Sequence, residues 1–144
     1  MFSIINCAAR AYAQVGVETG VAAASPHHLV EMLFDAALEH IARAKEAIVA
    51  RNPTRRGEAV SKVIRIVSEG LRASLDMQAG GEMAATLDQL YDYVTAQLVA
   101  ATVNNRIAEL DEVAQLLGAL RDAWVRIAPP HAPAPSASFR CAAA

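Results

Sequence analysis

Apolar residues return every three or four positions through most of this chain, and a few helix-breaking residues cut the runs apart. From Ser25, an N-cap residue followed by proline, the stripe is Leu29, Leu33, Ala36, Ala37, Ile41, Ala44 and Ile48. After Asn52–Pro53 it is Val60, Val63, Ile64, Val67, Leu71 and Leu75. Beyond Gly80–Gly81 come Leu87, Leu90, Tyr91, Val94, Leu98 and Ala101, and beyond Asn104–Asn105 come Leu110, Val113, Leu117, Leu120, Trp124 and Ile127. This spacing predicts four amphipathic helices of about 20 to 25 residues each within residues 25–127. Alternation of period two with β-branched residues is absent, so no strands are expected. Short connections force sequential helices to run antiparallel. The prediction is an all-α protein, an up-down-up-down four-helix bundle. Residues 1–24 hold a shorter amphipathic piece, Ile4 to Val15, and a small-residue link; the piece is expected to lie on the bundle surface. Residues 128–144 are rich in Pro and Ala, with Phe139 as the one bulky apolar side chain, and are expected to be disordered.

Length and charge narrow the function classes. A chain of 144 residues suits one domain with a tail. Thirteen Lys and Arg against fifteen Asp and Glu leave −2 at pH 7, no excess for neutralising phosphates, so nucleic acid is not expected as a partner. The hydrophobic fraction of 54% owes much to alanine. The longest uncharged helical stretch, Tyr93 to Asn105, falls short of the roughly 20 apolar residues a membrane span requires. Cys7 and Cys141 form no metal-ligand spacing and read as free thiols. The N-terminus lacks the basic start and long apolar core of a signal peptide, so the expected location is the cytoplasm.

Catalytic and cofactor motifs are missing. Glu-x-x-His pairs, a phosphate-cradling glycine loop, a haem-attachment motif and a serine-nucleophile motif do not occur, and no enzyme activity, metal or cofactor is expected. His27 and His28 fall in a first helical turn and His131 in the tail. His40 borders the apolar stripe beside Leu33, Ala37 and Ala44, which reads as a neutral, hydrogen-bonded core residue. The alternative is a phosphotransfer histidine with Arg43 one turn away, which requires an exposed imidazole.

Several helices carry more apolar surface than one core stripe. On the second helix Ala59, Ile66, Gly70, Ala73 and Met77 form another strip of mostly small residues, beside a charged face of Lys62, Arg65, Glu69, Arg72 and Asp76. On the third, Ala96, Val99, Ala100 and Val103 leave the C-terminal half apolar nearly all round, and Tyr93 points away from the core phase. On the first, Phe34 and Leu38 sit on the shoulder of the stripe. One reading is a wide core, or packing against the N-terminal piece. The other is a set of inter-helix grooves for amphipathic helices of a partner. On the second reading the partner-binding candidates are Phe34, Leu38, Ile66, Ala73, Met77, Tyr93 and Ala100.

Four stretches then occur in order: AYAQVGVETG from Ala11, ASPHHLVEMLFDAAL from Ala24, GGEMAATLDQLYDYV from Gly80 and EVAQLLGALRDAW from Glu112. Together they resemble the flagellar secretion chaperone FliS family, over Ala11 to Ile127. The resemblance implies an antiparallel helical bundle. It also implies binding of newly made flagellin through its C-terminal segment, prevention of premature polymerisation, and delivery to the flagellar type III export gate. The N-terminal segment around Tyr12, with Val15 one turn on, is implied to contribute to cargo binding and to cover an apolar groove in the free protein. Ala9 stands where relatives carry a larger apolar residue, with Ile4 and Ile5 one or two turns earlier. Other flagellar regulatory proteins are further candidate partners, and the same grooves could join two copies into a homodimer.

Overall fold

Ser25 and Asn52 each stop the chain from continuing straight and start a helix with a side-chain cap. In the computed structural model, which describes residues 25–128, the Ser25 hydroxyl accepts from the His28 N–H at 3.2 Å and opens α1 (Pro26–Val49). The Asn52 side chain accepts from the Arg55 N–H at 3.1 Å and opens α2 (Pro53–Arg65). The corner between them takes Arg51 to φ 54°, a left-handed conformation uncommon in a non-glycine residue, with the Arg51 N–H on the Ile48 carbonyl at 3.1 Å. α3 (Gly81–Asn104) ends on Asn105 at φ 53°, a side chain that tolerates this region, and α4 (Ile107–Arg126) follows. Among the described residues there is no strand.

The four helices form a ring. α1 packs on α2 and α4, α3 packs on the same two, and neither diagonal pair brings its backbones close, the arrangement of an up-down-up-down bundle. Its interior is wholly apolar. Ala37, Ile41 and Ala44 meet Val60, Val63 and Val67, then Tyr91, Val94 and Leu98, then Leu110, Val113 and Leu117, and no polar or charged residue of the described chain is buried among them. Polar links fasten the rim. Arg121 of α4 binds Asp35 (2.5 Å) and Glu31 (3.4 Å) of α1. Trp124 stacks on His27 with centroids 4.4 Å apart and donates its indole N–H to the His27 carbonyl at 2.9 Å.

Three expectations need correction. Phe34 is 3% exposed, a core residue and not a shoulder residue, because α1 turns its Phe34–Ala37–Ile41 edge squarely inward. Ile127, read as the end of the fourth stripe, is 66% exposed because α4 ends at Arg126. The second helix does not reach Met77. Ile66–Leu71 form a π-helical turn, closed by the Arg72 N–H on the Val67 carbonyl at 2.8 Å, and turns lead from there to Gly80. The Ser74 hydroxyl takes the Gly70 carbonyl (2.6 Å) and the Asp76 carboxylate takes the Gln78 and Ala79 N–H groups (3.0 Å each), so local side chains replace the helix ladder. The extra residue in a π-turn shifts the phase of everything beyond it. Gly70 is half-buried against α1: a Cβ there would lie 3.1 Å from Leu33 Cδ1.

Two predictions arise from this packing. Gly118 lies in the interior of α4 and a Cβ added there meets nothing within 4 Å. Gly118→Ala is therefore expected to stabilise the bundle by about 0.5–1 kcal/mol, seen as a higher Tm in circular dichroism; a lower Tm would contradict the open space. Burial pushes the Tyr91 phenol up to about 12 from its usual 10. The fold thus favours the neutral phenol; that stability is complete below pH 10 and lost as pH rises through 12. Urea midpoints should fall between pH 9 and pH 11.5 in the parent and fall less in Tyr91→Phe. An equal fall in both would place the alkaline sensitivity elsewhere.

Candidate functional site

Between Tyr93 and Val103, α3 carries no charged residue. One side of this stretch, Val94, Leu98 and Ala101, is in the core. On the other side Ala96, Val99 and Val103 reach the surface, Val99 49% and Val103 77% exposed, with Ala100 half-buried beside them. The two threonines here direct their polarity inward along the helix: Thr95 donates to the Tyr91 carbonyl at 3.0 Å and Thr102 to the Leu98 carbonyl at 3.1 Å. The result is a flat outward strip of alanine and valine with no competing charge. Tyr93 borders it, its hydroxyl donating to Glu112 of α4 at 2.5 Å.

A second group of exposed apolar residues gathers at one pole. The start of α1, the connection after the π-turn, the start of α3 and the end of α4 meet there, and Met32, Met77, Met83, Val125 and Ile127 are exposed on these segments. Methionine is unbranched and polarisable and adapts to irregular partners. Arg72 holds this pole together by binding Asp88 and Asp92 of α3, each at 2.5 Å.

The candidates named from sequence do not converge on one groove. Phe34 is buried in the core. Leu38 and Ile66 are half-buried against the core, so each has only an edge at the surface. Ala73 and Met77 are exposed in the connection after the π-turn. Tyr93 and Ala100 flank the α3 strip. Ala100 lies nineteen residues from Gly81, about 28 Å of helix from the methionine pole. Tyr12 and Val15, the N-terminal piece, Cys7, Cys141, His131 and the tail from residue 129 lie outside the described residues. The surface residues best placed for contact, Val99 and Val103, were visible as apolar surplus but not singled out. Their spacing of four, out of phase with Val94, Leu98 and Ala101, is the signal that separates them from the core.

His40 is not a hydrogen-bonded core residue. It is half-buried and lines a cleft between α1 and α2 with Arg43 and Lys62. Partial burial first, then the charges of Lys62 and Arg43, lower its pKa from 6.5, with Glu39 acting in the opposite direction. Among the described residues no group of three or more His, Cys, Asp or Glu is placed to hold a metal, and no helix is long and apolar enough to cross a membrane.

Fold and surface together define an antiparallel four-helix bundle that uses one stripe of each helix for its core and carries further apolar surface outward. The family model described as "Flagellar protein FliS" matches residues 8–131, and the chain belongs to this family of flagellar secretion chaperones. It is 44% identical over 120 residues to the flagellar secretion chaperone FliS of Salmonella typhimurium, covering 83% of this chain and 89% of that protein. It is 39% identical over 117 residues to the flagellar secretion chaperone FliSB of Pseudomonas aeruginosa (81% and 92% covered). With FliS of Bacillus subtilis it shares 32% over 114 residues (79% and 80% covered).

Proposed function

We propose that this chaperone acts in the cytoplasm, binds the C-terminal segment of flagellin before assembly, and delivers it to the flagellar type III export gate. The observation that carries this reading is the uncharged outward strip Ala96, Val99, Ala100 and Val103 of α3, in a member of the FliS family. A segment that packs into a filament presents apolar stripes able to pair with other copies. Covering those stripes removes the polymerising contacts by direct competition. Alanine lets a guest backbone approach closely and the two valines supply apolar contact, the pattern of helix-in-groove recognition. Folding of a disordered segment on binding buries on the order of 1,000–3,000 Å² and loses roughly 2–5 kcal/mol to ordering, which leaves protection compatible with release. The methionine pole gives a long guest a second contact, and Ala73 and Met77 belong to it. The N-terminal segment, through Tyr12 and Val15, competes for or completes the same surface. No chemical step and no cofactor enter this mechanism.

Co-expression with flagellin tests the reading. Intact flagellin should co-elute with the chaperone in size-exclusion chromatography, and flagellin without its C-terminal segment should not. Co-elution of the truncated form would overturn the assignment of that segment. Tyr12→Ala should lower cargo affinity with no change in Tm. Unchanged affinity in calorimetry would reduce the N-terminal piece to a passive extension.

A further inference from the structure

A cleft of ≈ 430 Å³ lies between α1 and α2, apart from the α3 strip. His40, Arg43 and Glu46 line it from α1, and Arg55, Glu58 and Lys62 from α2, over a floor of alanines. Arg43 is paired with Glu39, whereas Arg55 and Lys62 form no ion pair with any described residue. The lining carries Arg43, Arg55 and Lys62 against Glu46 and Glu58, and the chain segment that forms it is lopsided in charge. From Glu39 to Arg65 the chain carries seven Lys and Arg against three Glu, net +4, while the remainder carries six against twelve Asp and Glu, net −6. The stretch of α1 that lines the cleft, His40 to Ala50, is about 15 Å long, three turns of helix. Arg55 and Lys62 stand seven residues apart on α2, two turns along one face.

We propose that this cleft docks an acidic helical segment of a partner protein, with carboxylates two turns apart on Arg55 and Lys62 and a small-residue face on the alanine floor. The proposal does not rest on the flagellin reading. Glu46 and Glu58 sit among the cations and repel a continuous polyanion, which favours separated carboxylates over a phosphodiester chain or a charged lipid surface. An arriving carboxylate offsets the charges of Lys62 and Arg43, which add to partial burial in lowering the His40 pKa; Glu39, Glu46, Arg55 and Glu58 complete its surroundings. Docking therefore takes up a proton at His40 and strengthens as pH falls from 7.5 to 5.5.

The test uses the full chain and a fluorescein-labelled alanine-based helical peptide carrying glutamates seven residues apart, followed by anisotropy at low salt. The expected result is saturable binding that is lost when glutamine replaces the glutamates. Arg55→Glu and Lys62→Glu should each weaken it at least about tenfold, and Arg65→Glu, an exposed site outside the cleft, less than about twofold. His40→Gln should flatten the pH dependence. Circular dichroism confirms that each variant is folded. Four outcomes overturn the proposal: no saturable binding, equal loss in Arg65→Glu, tighter binding of a single-stranded oligonucleotide or of anionic vesicles, or self-association of the parent that Lys62→Glu abolishes, which would make the occupant a second copy.

Discussion

Leu98→Ala is expected to lower the stability of the bundle by about 3 kcal/mol and its Tm by more than 10 °C. Leu98 is 0% exposed and lies in the apolar interior of a ring in which every helix has only two neighbours. Truncation removes the transfer free energy of the lost carbons and leaves a cavity that the two flanking helices cannot close without breaking their own contacts. Circular dichroism melts read the effect. A Tm change below a few degrees would show that the interior repacks as a fluid and that the packing described for α3 is not what holds it.

The second large effect belongs to the next residue. Val99→Lys combined with Val103→Lys should weaken binding of a flagellin C-terminal peptide about a hundredfold, since two valine contacts are lost and two ammonium groups are desolvated. Cations suit the C-terminal end of a helix, so folding is expected to change little. Leu98 and Val99 thus form a pair of opposite controls on one turn of helix, the first governing stability and the second governing cargo. Unchanged affinity by calorimetry in the folded double variant would move the cargo surface off α3.

Much of this architecture is legible in the residues because its causes are local. Ser25 before Pro26, Asn52 before Pro53 and Asn105 at a left-handed corner act through their own side chains and backbone, and the helix boundaries fall where they stand. The buried positions Val60 and Val63 of α2 and Leu110, Val113 and Leu117 of α4 follow from spacing alone. The departures have tertiary causes. The π-turn at Ile66–Leu71 accompanies the close contact of Gly70 with Leu33, which nothing local to α2 announces. Phe34 is inside because of how α1 rotates against its neighbours, an angle that a helical wheel leaves undetermined when the apolar arc is wide. His40 meets Lys62 because α1 pairs with α2, so its surroundings come from another helix. The candidate site shares this division. The apolar excess of α3 is written in its composition, whereas the strip of α2 dissolved once the helix ended early and its members dispersed between core and turn.

Methyl chemical-shift mapping during titration with the flagellin C-terminal peptide reads whether cargo lies on the α3 strip. The largest perturbations are expected on Val99 and Val103, with Val113 and Leu117 of the interior nearly still. Perturbations that spare α3, or that spread evenly through the core, would contradict that placement.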